Sequence, residues 1–333
     1  MKIAIIGAGA WGTALATLCA HNGHEVMLWA FEPHVADDIN NSHENKTYLP
    51  GIQLAAEISA STDMAAVMQD ALWVFEAVPV AHLRTVLHEA KKHFTPEQTW
   101  VIASKGIEQG TLMLPSQIID DVCGYAIKKA VIAGPSFAHD LACKDITGVA
   151  LACESKCTAT ALQQILANIY FRPYLSEDVI GVQLAAALKN VLTLGIGMLD
   201  GAGFSDNAKA LLLTNGLREM VELGYALGAY KDTFYGLAGV GDLVLTSFGR
   251  CSRNLLVGRK LGQGASLDAL SQEFKSLPEG VNTAQSLFQL IQREEMSVPI
   301  FTGIYQVIFE GRSLHDMLAY LMSRSLSPHK CCE

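Results

Sequence analysis

Lys2-Ile3-Ala4-Ile5-Ile6 is a short apolar run rich in β-branched residues, and it leads directly into Gly7-Ala8-Gly9-Ala10-Trp11-Gly12. The next residues, Thr13-Ala14-Leu15-Ala16-Thr17-Leu18, read as a helix. A strand entering G-x-G-x-x-G and leaving as a helix predicts a dinucleotide site. Each glycine has a mechanical task. Gly7 allows the tight turn off the strand, Gly9 lets a pyrophosphate approach the backbone, and Gly12 lets the helix pack close to the strand. The free N–H groups at the helix start, with the helix dipole, attract phosphate. The competing reading is a glycine-rich turn with no ligand. A second strand candidate at 25–30, right after the helix, favours the dinucleotide site.

The same stretch has a basic residue before an apolar run, as a secretory signal does. Three glycines inside the run, no clear small-residue cleavage site and direct continuation into Asn22-Gly23-His24-Glu25 argue against that reading. A membrane span needs about twenty predominantly apolar residues. The most apolar stretch, 179–199, is interrupted by Lys189, Asn190, Gly195 and Gly197, so no span is expected.

A chain of 333 residues, half of them hydrophobic, suggests two domains with a sizeable core. Lys and Arg total 24 against 33 Asp and Glu, a formal charge of −9. Nucleic-acid binders carry a basic balance or stripe; neither is visible, so no nucleic-acid partner is expected, and an anionic substrate must be held by a few placed cations. The eight cysteines contain no C-x-x-C pair, and Cys153 and Cys157 lack nearby partners for zinc. Reduced, structural thiols in a cytoplasmic protein are expected, with Cys331-Cys332 frayed and exposed and no metal site.

Outward from the first unit, strand candidates at 72–78, 99–104, 130–133 and 148–152 alternate with helical patterns such as 80–93 and 114–122. Near-continuous apolar strands suit a parallel sheet buried on both faces. The fold class expected is α/β, a Rossmann-type doubly wound N-terminal domain over 1–178 with an all-α C-terminal domain over 179–333. In the second part, helices are expected at 179–199, 207–227, 254–262, 282–293 and 297–310. Loops after strands carry constrained or polar residues: Val78-Pro79, Ser104-Lys105-Gly106 and Gly134-Pro135-Ser136. Such loops line the carboxyl edge of the sheet, where ligands bind.

Lys189 is the sharpest single residue. It lies in Gly181-Val182-Gln183-Leu184-Ala185-Ala186-Ala187-Leu188-Lys189-Asn190-Val191-Leu192-Thr193-Leu194, a segment apolar almost all round and so expected to be buried. No carboxylate stands three or four residues away. A buried lysine loses proton affinity and can serve as a general base. The alternatives are a lysine snorkelling to the surface or a structural ion pair. Asp242, in Gly239-Val240-Gly241-Asp242-Leu243-Val244-Leu245-Thr246, either meets Lys189 in space or caps the following helix. Gly249-Arg250-Cys251-Ser252-Arg253-Asn254 gathers guanidinium, hydroxyl and amide groups suited to a phosphate. Its alternative is a solvated basic turn with Asn254 as helix cap.

With these residues in view, the chain strongly resembles the NAD(P)-dependent glycerol-3-phosphate dehydrogenases. The likeness covers nearly the whole chain through GAGAWGTALA, SKGI, GPSFA, GVQLAAALKNV, GLAGVGDLVLT, SRN and EGVNTA, in the family's order. It implies interconversion of sn-glycerol 3-phosphate and dihydroxyacetone phosphate with NAD or NADP, supply of glycerol 3-phosphate to phospholipid synthesis, and a homodimer. It further implies that Lys189 exchanges the proton of the C2 oxygen and that Lys105 lies at substrate and nicotinamide. Asp242 and Thr246 would stand near the reacting carbon. Ser252, Arg253 and Asn254 would grip the substrate phosphate, Arg253 also reaching the cofactor, while Gly134, Ser136 and Asn190 would touch substrate. Gly7, Gly9, Ala10, Trp11, Gly12, Phe31, Glu32, Ala138, Leu277 and Glu279 would contact the cofactor. Asn215 stands where many relatives have Arg, and the segment Leu28-Trp29-Ala30-Phe31-Glu32 is closer to the NAD-preferring branch.

Glu32 follows the second strand about twenty residues after Gly12, where an acidic side chain accepts from the ribose 2′-OH. No Arg or Lys lies between Phe31 and Asn45 to receive a 2′-phosphate, and His34 is mostly neutral at pH 7. A preference for NADH with both cofactors usable is predicted, unless Glu32 points to solvent or Arg253 or Lys46 reaches the ribose. Two other functions fit some of the same clues. A ketopantoate reductase or β-hydroxyacid dehydrogenase would have less reason for the SRN cluster, and a non-enzymatic dinucleotide sensor none for a buried base.

Overall fold

The computed structural model describes residues 1–124, 127–274 and 276–323. Among the described residues, eight strands form one sheet: β1 Lys2–Ile6, β2 Glu25–Trp29, β3 Ile58–Ser61, β4 Trp73–Glu76, β5 Thr99–Ile102, β6 Lys128–Ala133, β7 Thr147–Ala152 and β8 Phe171–Ser176. The helices interleaved with them are α1 Ala10–His21, α2 Pro33–Ser42, α3 Met64–Met68, α4 Val80–Ala90, α5 Pro115–Cys123, α6 Ala138–Ala142 and α7 Lys156–Leu166. Beyond the sheet come α8 Val179–Gly201, α9 Asp206–Ala226, α10 Asp242–Phe248, α11 Arg253–Gly262, α12 Leu267–Glu273, α13 Glu279–Arg293, α14 Pro299–Phe309 and α15 Leu314–Ser323.

The strand order is β3-β2-β1-β4-β5-β6-β7-β8. Every pair is parallel except β6 with β7, which departs from the all-parallel sheet expected from the apolar runs. The central strands have the period of two that sorts their side chains between faces. Ile3 and Ile5 join the core beneath α1, whereas Ala4 and Ile6 join the core that continues into the C-terminal helices. The expected central strands formed as β4 to β7. Both edge strands escaped the sequence reading for the same reason. Ile58-Ser59-Ala60-Ser61 is short and half polar, and Phe171-Arg172-Pro173-Tyr174 carries a proline and exposes alternate residues, as edges do.

α8 is the spine of the helical part. It is long and apolar enough to pass a compositional test for a membrane span, yet its side chains are almost all buried against α9, α10, α11, α13 and α14. Its N-terminus is capped by Asp178, whose carboxylate accepts Gly181 N–H at 2.8 Å, Tyr230 N–H at 2.8 Å and the Thr233 hydroxyl at 2.6 Å. α11 lies almost backbone to backbone on α8. A Cβ on Gly197 would meet the Leu255 carbonyl at 2.6 Å, and one on Gly258 would stand 3.0 Å from the Gly197 Cα. Cys331-Cys332 lie outside the described residues.

Candidate active site

The glycine turn at the carboxyl end of β1 is built for close approach. Gly7 has φ +112°, outside the range of ordinary side chains, and a Cβ on it would meet the Ala77 carbonyl at 2.7 Å. A Cβ on Gly12 would fall on the Gly7 carbonyl oxygen, whereas nothing lies within 4 Å of that position on Gly9. Gly9 is the extended N-cap of α1 and no side chain caps the helix. Its first N–H groups, at Ala10 and Trp11, therefore have no intrahelical partner and no capping side chain. Trp11 Nε1 is buried without a hydrogen-bond partner among the described residues. Open room above Gly9, uncapped donors and an orphan indole N–H fit a dinucleotide pyrophosphate.

The segment after α2 closes over this turn. Buried Asn45 donates to the Ala8 carbonyl and to Thr13 Oγ1, both at 2.8 Å, and accepts Tyr48 N–H at 3.0 Å. Tyr48 donates its hydroxyl to Glu32 Oε1 at 2.6 Å. Glu32, at the N-cap position of α2, is thus tethered at the end of β2 rather than free in solvent. That carboxylate, through its hydrogen bond first and then with burial and its charge, pushes the Tyr48 phenol up to about 12. Lys46 pairs with Asp38 at 3.2 Å. Phe31 is 76% exposed and meets Trp29 edge-on, with ring centroids 6.2 Å apart.

Across the crevice, three separate segments bring their polar groups to one point. Lys189 from α8 donates to Asp242 Oδ1 at 3.1 Å and to Thr246 Oγ1 at 2.6 Å. Lys105, on the loop after β5, donates to Asp242 Oδ2 at 2.8 Å. Asp242 and Thr246 stand one turn apart on α10, so a single helix face presents both. Burial lowers the Lys189 ammonium most, the Asp242 charge opposes it, and Lys105 adds to the lowering, leaving it at about 8. Burial pushes Asp242 up, but the two lysines outweigh it and hold the carboxyl below its usual range. Asp242 is therefore an ion-pair partner and not the cap of α10; Lys189 is buried and does not snorkel.

A second polar node adjoins the first. Asn254 donates to Asn190 Oδ1 at 3.0 Å and accepts Gly280 N–H at 3.1 Å. Asn190 is the neighbour of Lys189, so α8, α11 and α13 are joined at the level of the lysine. The cap of α11 is Ser252, which accepts Leu255 N–H at 3.1 Å, and not Asn254, the alternative open in the sequence. Arg253 is not gathered into this node. Its guanidinium donates to the Ser276 carbonyl and, at 3.3 Å, to Ser276 Oγ.

The remaining candidates frame these nodes. Gly134 lies against Val149, where a Cβ would approach Cα at 2.8 Å; Ser136 donates to the Gly134 carbonyl at 2.9 Å. Ala138 begins α6 just beyond, and Leu277 packs on the core before α13. Glu279 starts α13 beside Gly106, the residue after Lys105. Burial raises its carboxyl to about 7, against the Val80 N–H and the Arg253 charge. Sequence reasoning picked out the loop Ser104-Lys105-Gly106 but missed Glu76, whose carboxylate accepts the Ser104 hydroxyl at 2.6 Å. The signal was there: an acidic residue closing the apolar run Trp73-Val74-Phe75-Glu76.

A glycine turn at the carboxyl edge of a doubly wound sheet, opposite a buried lysine–carboxylate cluster on a helical unit, defines a class: the Rossmann-type dinucleotide-dependent dehydrogenases. Within that class, the model for the NAD-dependent glycerol-3-phosphate dehydrogenase N-terminus matches residues 2–159, and that for the C-terminus matches residues 178–319. The chain belongs to the NAD-dependent glycerol-3-phosphate dehydrogenase family. It is 41% identical over 330 residues to the glycerol-3-phosphate dehydrogenase (NAD(P)+) of Leuconostoc mesenteroides, covering 98% of each chain. The corresponding Bacillus cytotoxicus protein is 41% identical over 325 residues, 97% of this chain and 95% of its own. Among solved structures, glycerol-3-phosphate dehydrogenase from Coxiella burnetii superposes with a TM-score of 0.92 at 31% identity, covering 97% of this chain and 99% of its own. A ketopantoate reductase from Ralstonia eutropha, at 17% identity and a TM-score of 0.60, shares the fold alone.

Proposed function

We propose that this protein interconverts sn-glycerol 3-phosphate and dihydroxyacetone phosphate with NAD(H) or NADP(H). The carrying observation is the convergence of Lys189, Asp242, Lys105 and Thr246 at one buried point in a chain of this family. The bound dinucleotide supplies the hydride in reduction and accepts it in oxidation. Lys189 Nζ gives a proton to the ketone oxygen in reduction and takes it from the C2 hydroxyl in oxidation. A proton affinity near neutrality suits both directions. Asp242 holds both lysines toward the same small volume, and Lys105 adds positive charge for an anionic substrate. Asn254, Ser252 and Arg253 receive the phosphate, which requires Arg253 to leave Ser276. Gly134, Ser136 and Asn190 line the substrate; Phe31, Ala138, Leu277 and Glu279 border the cofactor.

The tethered carboxylate of Glu32 supports a preference for NADH over NADPH. The family resemblance supports a homodimer and a role in phospholipid synthesis, and the acidic, thiol-bearing composition supports a cytoplasmic location. A division into a dinucleotide unit over 1–178 and a helical substrate unit over 179–333 is supported by the last strand ending before α8 begins.

The test is oxidation of NADH and NADPH with dihydroxyacetone phosphate, dihydroxyacetone, ketopantoate or no ketone. Turnover is expected with the phosphate ester alone, because binding energy from the remote phosphate supports the chemical step. Comparable turnover of ketopantoate, or of dihydroxyacetone, would overturn the reading. A higher kcat/KM with NADPH would mean that Glu32 does not meet the ribose.

A further inference from the structure

Glu76 closes β4 at a position where an apolar side chain would cost less. It is 1% exposed. Burying a carboxylate is expensive unless hydrogen bonds compensate, and here they come from two different loops. Oε1 accepts Val78 N–H at 2.7 Å, in the loop leaving β4. Oε2 accepts the Ser104 hydroxyl at 2.6 Å, in the loop leaving β5 and one residue before Lys105. The register sets Glu76 between Ile6, which enters the glycine turn, and Ile102, which enters the Lys105 loop.

We propose that Glu76 is a positioning residue whose carboxylate clamps the β4 and β5 crevice loops together and so holds Lys105 at Asp242. This rests on the reading of Lys105 as a substrate-site residue. Hydrogen bonds to an ionised acceptor are stronger than neutral ones, which accounts for a buried carboxylate where a leucine would pack. The clamp also responds to pH. The ionised carboxylate accepts both donors through charge-assisted bonds, whereas the protonated one turns its O–H to Ser104 Oγ and keeps only the weaker, neutral ties. Burial raises the carboxyl, Ser104 and Val78 pull it down, Glu279 of α13 adds a smaller upward push, and it comes to rest at about 7. Glu279 in turn faces Arg253 of α11, and Lys105 is turned to Asp242 of α10.

The variants are Glu76→Leu, Glu76→Gln, Ser104→Ala and Lys105→Met, with the Glu76→Leu/Ser104→Ala double variant. For each, kcat, KM for dihydroxyacetone phosphate and the Kd of NADH alone are measured from pH 5.5 to 9. Glu76→Leu is expected to raise KM by roughly tenfold, the scale of one lost charge-assisted hydrogen bond, and to leave the NADH Kd within about twofold. Ser104→Ala gives part of that rise, and none once Glu76 is already Leu, because Ser104 acts through Glu76. Glu76→Gln retains an acceptor for Val78 and offers a donor to Ser104, the pattern of the protonated acid, so it folds and holds KM near the wild-type low-pH value at every pH. It loses the step in KM that wild type shows as pH falls through about 7. A wild-type step persisting in Glu76→Gln, or additive effects of Glu76→Leu and Ser104→Ala, overturns the clamp. If Lys105→Met raises KM and Glu76→Leu does not, the clamp fails while the Lys105 reading stands. If Glu76→Leu raises KM and Lys105→Met does not, the Lys105 reading fails and the proposal with it.

Discussion

Lys189 sits where two opposing effects meet at one ammonium group: removal from water, which favours the neutral amine, and the Asp242 charge, which favours the cation. Sequence shows the first, because the helix around Lys189 is apolar almost all round. It cannot show the second, because Asp242 is on another helix and reaches Lys189 only through the fold. Burial wins, and Lys189 lies at about 8. Lys189→Ala should lower kcat by about two to four orders of magnitude, the usual range for losing a general acid or base, with NADH Kd nearly unchanged. Near wild-type turnover would make Lys189 structural. Asp242→Asn removes the group that raises Lys189 and leaves burial and Lys105 unopposed, so its proton affinity falls further. Ketone reduction needs the ammonium form, and its rate is lost as pH rises through that value. The alkaline limb of kcat for reduction should therefore move to lower pH in Asp242→Asn. An unmoved limb would uncouple the two residues.

At the scale of elements, the glycine turn separates two roles that one motif states together. Gly12 brings α1 onto the backbone of Gly7, whereas Gly9 borders empty space. Gly12→Ala should damage the fold itself, with a lower melting temperature and little soluble protein. Gly9→Ala should keep its melting temperature and weaken NADH binding by about tenfold or more, a difference of about 1.4 kcal/mol or greater. Circular dichroism and NADH fluorescence titration check both; a stable Gly12→Ala or a tight-binding Gly9→Ala would contradict the assignment. The same close packing recurs where α8 meets α11. The glycine seam brings Asn254 to Asn190, and periodicity alone, which showed both helices, did not show that they touch.

Across the whole molecule, two carboxyls along the crevice, buried Glu76 and half-buried Glu279, are each raised from 4.5 to about 7. Their unfolded forms release protons near the lower value and their folded forms near the higher. The folded chain thus binds more protons between these limits, and linkage makes stability fall as pH rises from about 4.5 to about 7. The unliganded protein should accordingly show a lower urea midpoint at pH 8 than at pH 5.5, and Glu76→Gln should narrow the gap. An equal gap in the variant would mean that Glu76 is already ionised in the folded chain at about pH 5.5. The sequence by itself determined the strand–turn–helix unit, the α/β class, the central strands and the buried helix carrying Lys189, because each is written in residues close together along the chain. Only the tertiary structure decided that Asp242 bridges Lys189 and Lys105, that Tyr48 tethers Glu32, that β7 runs against β6, and that Glu76 ties two loops. Each of these depends on groups far apart in sequence, whose separation, burial and charge are defined only once the chain has folded.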